Sequence, residues 1–190
     1  IEKGVMDSKD KRNAIIHWAS KYESIQHVVL TGTRVNNAAI KTPFLEYQWI
    51  LSISDIKFID ELDWEKILPT KLIQTGKFIR NGVSFVRLFY DDFTRFDIEI
   101  VSKEELVERI KNDTLCDILL DKDHTFGASG RPTDISRRIK KPTNEKFQSW
   151  FNSFFSYMTD VCIYLRNDSY IAAQYAFQDA RIPLLKMVEA

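Results

Sequence analysis

Apolar residues recur along the chain with two periods, and the switches between them mark the elements. Asp7 or Ser8 can cap a helix in which Ile15, Trp18 and Ala19 fall at helical spacing, predicting a first helix to about Lys21. His27-Val-Val-Leu30 then reads as a buried strand that ends at Gly32. After a loop carrying Asn36, Asn37 and Pro43, a second strand begins near Phe44 or Leu45 and runs to Ser54. Its alternation puts Glu46 and Gln48 on one face and Tyr47 and Trp49 on the other. Asp63 to Leu68 suggests a short helix ended by Pro69, with a short strand near Leu72 to Gln74. Ser84 to Tyr90 and Phe93 to Val101 form a hairpin about Asp91-Asp92, with Asp97 and Glu99 on one face.

Ser102 and Glu105 make a capping box for a helix to about Lys111, and Cys116 to Leu120 is a short buried strand. From His124 to Pro142 the chain holds Gly127, Gly130, Pro132 and the basic cluster Arg131, Arg137, Arg138, Lys140 and Lys141, a composition expected of a solvated linker. Thr143 can cap a long helix to about Leu165 whose stripe of Phe147, Trp150, Phe151, Phe154 and Phe155 is expected to form core. Asn167 to Ser169 breaks it and caps another helix, with Pro183 kinking or ending it. The chain is therefore predicted to be α+β, with a mixed sheet domain and flanking helices over 1–140 and a helical domain over 141–190.

Charge and cysteine content narrow the chemistry. Lys and Arg number 27 and Asp and Glu number 27, so no diffuse basic surface argues for nucleic acid. No apolar run is long enough to span a bilayer, and Cys116 and Cys162 have neither metal nor disulfide-framework spacing, so a cytoplasmic location is expected. His17, His27 and His124 share no ligand spacing. Gly32 allows close approach of backbone to a ligand, and Thr33 and Arg34 add a hydroxyl and a positive fork beside it.

An ordered series of short motifs resembles the aminoglycoside 6-adenylyltransferases, the streptomycin adenylyltransferases of the nucleotidyltransferase superfamily. Leu30-Thr-Gly-Thr-Arg34 stands for that family's G-S-R turn, Phe44-Leu-Glu-Tyr-Gln48 for its F-x-D-[FY]-D strand, and Arg95-Phe-Asp97 for its R-[IL]-D strand. Leu119-Leu-Asp-Lys-Asp123, Pro132-Thr-Asp134 and Lys141-Pro-Thr143 continue the match. The resemblance implies a nucleotidyltransferase-like sheet domain, ATP and Mg²⁺ as cofactors, and transfer of AMP to a hydroxyl of a cationic acceptor such as streptomycin. It places Gly32, Thr33 and Arg34 at the phosphates and Glu46, Gln48 and Asp97 around the metal. It also implies further C-terminal helices, so the helical domain is expected to be incomplete.

The chain departs from that pattern at the chemical positions. Glu46 replaces one Asp and Gln48 another, and Asp97 alone is unchanged. A unit charge against a divalent ion at ~4 Å is worth several kcal/mol at an effective dielectric near ~20, so Gln48 is expected to weaken metal binding. In the helical region Cys162 stands where the family has Lys and Gln174 where it has the acidic candidate base; a neutral amide cannot take a proton at ordinary pH. Transfer is expected to be weak or lost. The alternative is a non-catalytic protein on the same fold that binds a nucleotide or a small molecule.

Overall fold

The computed structural model describes residues 7–40, 42, 46–127 and 130–190. The chain divides into two compact units, Ile1–Arg137 and Arg138–Ala190. The predicted start of the second strand at Phe44 or Leu45 lies outside the described residues.

The first helix, α1 (Ser8–Ser20), starts where the Asp7 carboxylate accepts the N–H groups of Lys9 and Asp10, satisfying donors that the first turn leaves open. Its Ile15, Trp18 and Ala19 are buried in the main core. The strands β1 (Ile25–Thr31), β2 (Tyr47–Ile53), β3 (Leu72–Arg80), β4 (Val83–Tyr90), β5 (Arg95–Val101) and β6 (Cys116–Asp121) form one sheet in the order β3-β4-β5-β2-β1-β6. Among the described residues only β2 and β5 run parallel; the other ladders are antiparallel. Between β5 and β6 lies α2 (Lys103–Asn112), opened by the capping box of Ser102 and Glu105.

The alternation of β2 assigns the two faces. Tyr47, Trp49 and Leu51 join Phe96, Ile98 and the α1 residues in the main core, while Ile50 joins Val29, Val101, Cys116 and Leu106 of α2 in a smaller one. The α2 face is only partly covered by apolar side chains. Its uncovered end carries the polar residues described below.

The strand expected to stop at Gln74 continues to Arg80 and turns back through Asn81 and Gly82, at φ 53° and 79°. Positive φ at both turn residues matches the right-handed twist of the paired strands, and Asn-Gly tolerates it best. Residues 56–60 and 64–66 form short 3₁₀ turns in place of the predicted helix.

In the second unit, α3 (Asn144–Arg166) is capped by Thr143, and α4 (Tyr170–Val188) packs against it. Pro183 neither ends α4 nor lies outside it. The buried stripe of α4 is small, consisting of Ala173, Ala176, Ala180 and Pro183. The Phe stripe of α3, expected as core, is instead largely exposed at Phe147, Phe151 and Phe155. Two helices packed side by side bury only one seam each, and the seam here uses the small residues.

Candidate active site

Register places one residue from each strand in a single row across the sheet. Gly76 pairs with Arg87, Arg87 with Asp97, Asp97 with Gln48, Gln48 with Thr31, and Thr31 with Cys116. Partners directly opposite one another share a face, so this row stands on the α2 side. Most of it lines a cavity of about 630 Å³ that also takes in Glu99, Arg109, Asp113 and Arg137. Gln48 and Asp97, predicted to share a pocket, are therefore neighbours on one face.

Gly32 opens a 3₁₀ turn directly after β1, with φ of +77°. A Cβ there would stand 2.8 Å from Cδ of Gln48 and nearer still to its Oε1. The glycine is needed for its left-handed backbone, whereas the Gln48 amide is the flexible end of a side chain and can move aside. The amide of Gln48 itself lies against the turn expected to cradle phosphate. Thr33 is exposed. The Arg34 guanidinium lies 4.2 Å from the centre of the Tyr47 ring, whose side chain belongs to the α1 face. The turn thus brings Gly32 to the row but sets Arg34 over the opposite face.

Asp97 in the row, and Glu46, Glu99 and Asp113 beside it, each face an arginine. Asp97 accepts from Nε of Arg87 at 2.6 Å and from its terminal nitrogen at 3.3 Å. Arg95 approaches the second oxygen of Asp97 at 3.1 Å and Glu46 at 3.8 Å. Arg109 of α2 holds Glu99 at 2.6 Å. Arg137 binds Asp113 and donates to Oγ1 of Thr31 at 2.7 Å. Gln48 adds only a long contact, its amide nitrogen 3.4 Å from Oε1 of Glu46. Asp97 holds the Arg87 guanidinium above its ordinary range through their hydrogen bond. Burial alone would raise the Asp113 carboxyl, but hydrogen bonds from Arg137, the Leu115 N–H and Ser136 outweigh it and hold it below the usual range. The basic cluster expected as a solvated linker thus contributes Arg137 to the pocket.

These residues do not suit Mg²⁺. That ion needs oxygens in near-octahedral array at about 2.0 to 2.1 Å and draws its affinity from carboxylate charge. Gln48 brings no charge, and both oxygens of Asp97 already face guanidinium groups. A metal at Asp97 would have to compete with the positive charge of both guanidinium groups on that carboxylate.

A second polar group lies at the other end of β1. Buried His27 places Nε2 2.9 Å from Asp123 and 3.3 Å from Asp121, and ligand atoms of the three lie within 4.8 Å of one another. The carboxylates also accept the N–H groups of Thr125 and Phe126 and the ammonium of Lys103. Lys103, Thr125 and His27 hold the Asp123 carboxyl below the ordinary range. A metal on Nε2 would force the proton onto Nδ1, which is buried without a hydrogen-bond partner. An Nε2–H shared by two carboxylates leaves only a lone pair unmatched, so this group fits a clamp on the turn after β6 better than a metal centre.

Arg87 was not among the residues expected at the site. Its signal was present: Arg87 and Asp97 are equally distant from Asp92 in the hairpin turn, so counting back from that turn pairs them. In the second unit, Cys162 on α3 and Gln174 on α4 are both exposed. Among the described residues no helix is long and apolar enough to cross a membrane.

The sheet thus sets Gln48 and Asp97 side by side, with the Gly32 turn against the Gln48 amide. The sequence profile described as Streptomycin adenylyltransferase matches residues 6–190, and the chain belongs to that family. An aminoglycoside 6-adenylyltransferase of Campylobacter jejuni is 26% identical over 189 residues, covering 95% of this chain and 65% of its own length. One from Staphylococcus aureus is 25% identical over 191 residues, covering 95% and 67%. The chain therefore spans about two-thirds of the length of these relatives. The crystal structure of an aminoglycoside 6-adenyltransferase from Bacillus subtilis aligns with 96% of this chain and 66% of its own, at 19% identity and a TM-score of 0.49.

Proposed function

We propose that this chain is built on the plan of an enzyme that moves AMP from ATP to a hydroxyl of an aminoglycoside such as streptomycin, and that in this chain the transfer is weak or lost. The observation that carries this reading is the state of Asp97. It is the one carboxylate that keeps its identity in the family's metal motif, and it is held by Arg87 on one side and Arg95 on the other.

A divalent ion would supply such a transfer with positive charge against the leaving pyrophosphate, and Glu46, Gln48 and Asp97 are the positions that would hold it. What the chain's own residues supply is narrower. The row fixes Asp97 and Gln48 side by side, Gly32 lets the Gln48 amide pack against the turn, and Arg87, Arg95 and Arg109 neutralise Asp97, Glu46 and Glu99 from within. Gln174, at the position of the candidate base, offers no site for the acceptor's proton.

The same observation favours a second reading, a protein that binds a nucleotide or a cationic small molecule without turning it over. Labelled ATP and streptomycin distinguish the two when wild type is compared with Glu46→Asp combined with Gln48→Asp. Transfer by the double variant alone supports an enzyme plan disabled at the row. Binding of ATP or streptomycin with no transfer by either form supports the binding protein, and robust transfer by wild type overturns the proposal that activity is weak or lost.

A further inference from the structure

We infer that the Arg87 guanidinium is the built-in cation of this site: fixed on Asp97 across the β4–β5 ladder, it takes the place of a divalent ion and receives the phosphate chain of a metal-free nucleotide directly. The inference rests on the proposed reading of the row as a nucleotide site, and adds which group carries the positive charge there.

Position comes first. Arg87 is opposite Asp97 in β4, and Asp97 is opposite Gln48 in β2, so the guanidinium sits one strand from the carboxylate pair on which a metal would bridge. Beyond Arg87 in the same row is Gly76, which carries no side chain and where even an added Cβ would meet nothing within 4 Å.

Charge and donors come next. Gln48 removes one of three negative charges from the motif, and the two that remain, on Glu46 and Asp97, are met by Arg87 and Arg95, of which Arg87 is the one that lines the cavity. Of the five N–H donors on a guanidinium, two are spent on Asp97, and the group lines the cavity while half of its side chain is exposed. A guanidinium fixed by a carboxylate at one edge presents its other N–H groups in a set direction, which suits phosphate oxygens. The ring of Phe78, 5.6 Å from the guanidinium carbon, flanks it on the pocket side of β3.

Two titrations test this with readouts independent of transfer. ATP binding to wild type, followed by calorimetry, is expected to be the same in EDTA as in excess Mg²⁺, and Arg87→Met is expected to weaken it in EDTA by about ten-fold or more, the cost of a lost charge-assisted hydrogen bond. Arg87→Lys, which keeps a cation, is expected to retain part of the affinity. Mn²⁺ binding without nucleotide, followed by paramagnetic resonance, is expected to be absent in wild type and in Gln48→Asp, and to appear in Gln48→Asp combined with Arg87→Met. Circular dichroism melts confirm that each variant is folded. ATP binding by wild type that requires Mg²⁺, or no ATP binding at all, overturns the inference. So does Mn²⁺ binding by wild type, equal Mn²⁺ binding by the single and double variants, or none by any form. AMP transfer by wild type in EDTA would refute the weak-or-lost reading while leaving Arg87 in its role, whereas an Mn²⁺-binding but inactive wild type would do the reverse.

Discussion

The side-chain amide of Gln48 packs against the Cα of Gly32, at the point where β1 gives way to its 3₁₀ turn. The two residues come together because Gln48 is the register partner of Thr31, the residue just before the glycine. Gly32→Ala is expected to lower stability by about 1 to 2 kcal/mol, because an alanine at this positive φ carries the left-handed backbone penalty. The side-chain contact can yield by rotation of Gln48, whereas the backbone cannot. Urea unfolding is therefore expected to show the same loss for Gly32→Ala in a Gln48→Ala background; full rescue there would assign the cost to the contact instead.

Lys11 is buried, with its ammonium 2.5 Å from Oγ1 of Thr94 and 3.1 Å from Asp92. Burial alone would raise the Asp92 carboxyl, but the hydrogen bonds from Thr94 and Lys11 outweigh it and set it below the usual value. A depressed folded-state carboxyl contributes stability that is present above its unfolded value near ~3.9 and is lost as pH falls through the folded one. Asp113 acts in the same sense. Melting temperature is therefore expected to hold from neutral pH to about 4 and to fall below it. Lys11→Met removes the countercharge of Asp92, which lowers the melting temperature at neutral pH and makes its fall below pH about 4 shallower than in wild type.

Arg137 ties the segment after β6 to Asp113 and Thr31. Both partners of the ion pair are partly exposed, so its removal is expected to cost no more than about 1 kcal/mol globally. The local effect is larger. Limited proteolysis is expected to cut Arg137→Gln faster than wild type between residues 131 and 140, and equal rates would show that the segment is held by other contacts.

The two cysteines are expected to react at very different rates. Cys162 is exposed on α3 and Cys116 is buried in β6, where burial pushes its thiol up. At pH 8 an aromatic disulfide reagent should titrate one thiol quickly and the second only in denaturant. Cys162→Ser should abolish the fast phase.

Much of the sheet is legible in the sequence because its signals are local. Alternation along β2 assigns Gln48 and Trp49 to opposite faces, and Ser102 with Glu105 announces α2 through a capping box that forms as expected. The β3–β4 hairpin is harder to read, since the exposed Ile73, Phe78 and Ile79 leave β3 without a clean alternation. Its one clear mark is Asn81-Gly82, whose two positive φ angles make the turn. The compensation of Asp97 is less visible still, because it depends on Arg87 from a neighbouring strand and on Arg95, two residues before it. The α3 aromatics show the limit of pattern alone: a helical apolar stripe marks a face suited to burial, and what covers that face is set by tertiary packing.

The most direct test of an internally neutralised row is a crystal soaked in Mn²⁺ and examined by anomalous scattering. The structure predicts Arg87 still forked on Asp97 and no manganese signal within coordination distance of that carboxylate. A manganese peak shared by Asp97 and Gln48, with Arg87 swung away, would contradict it.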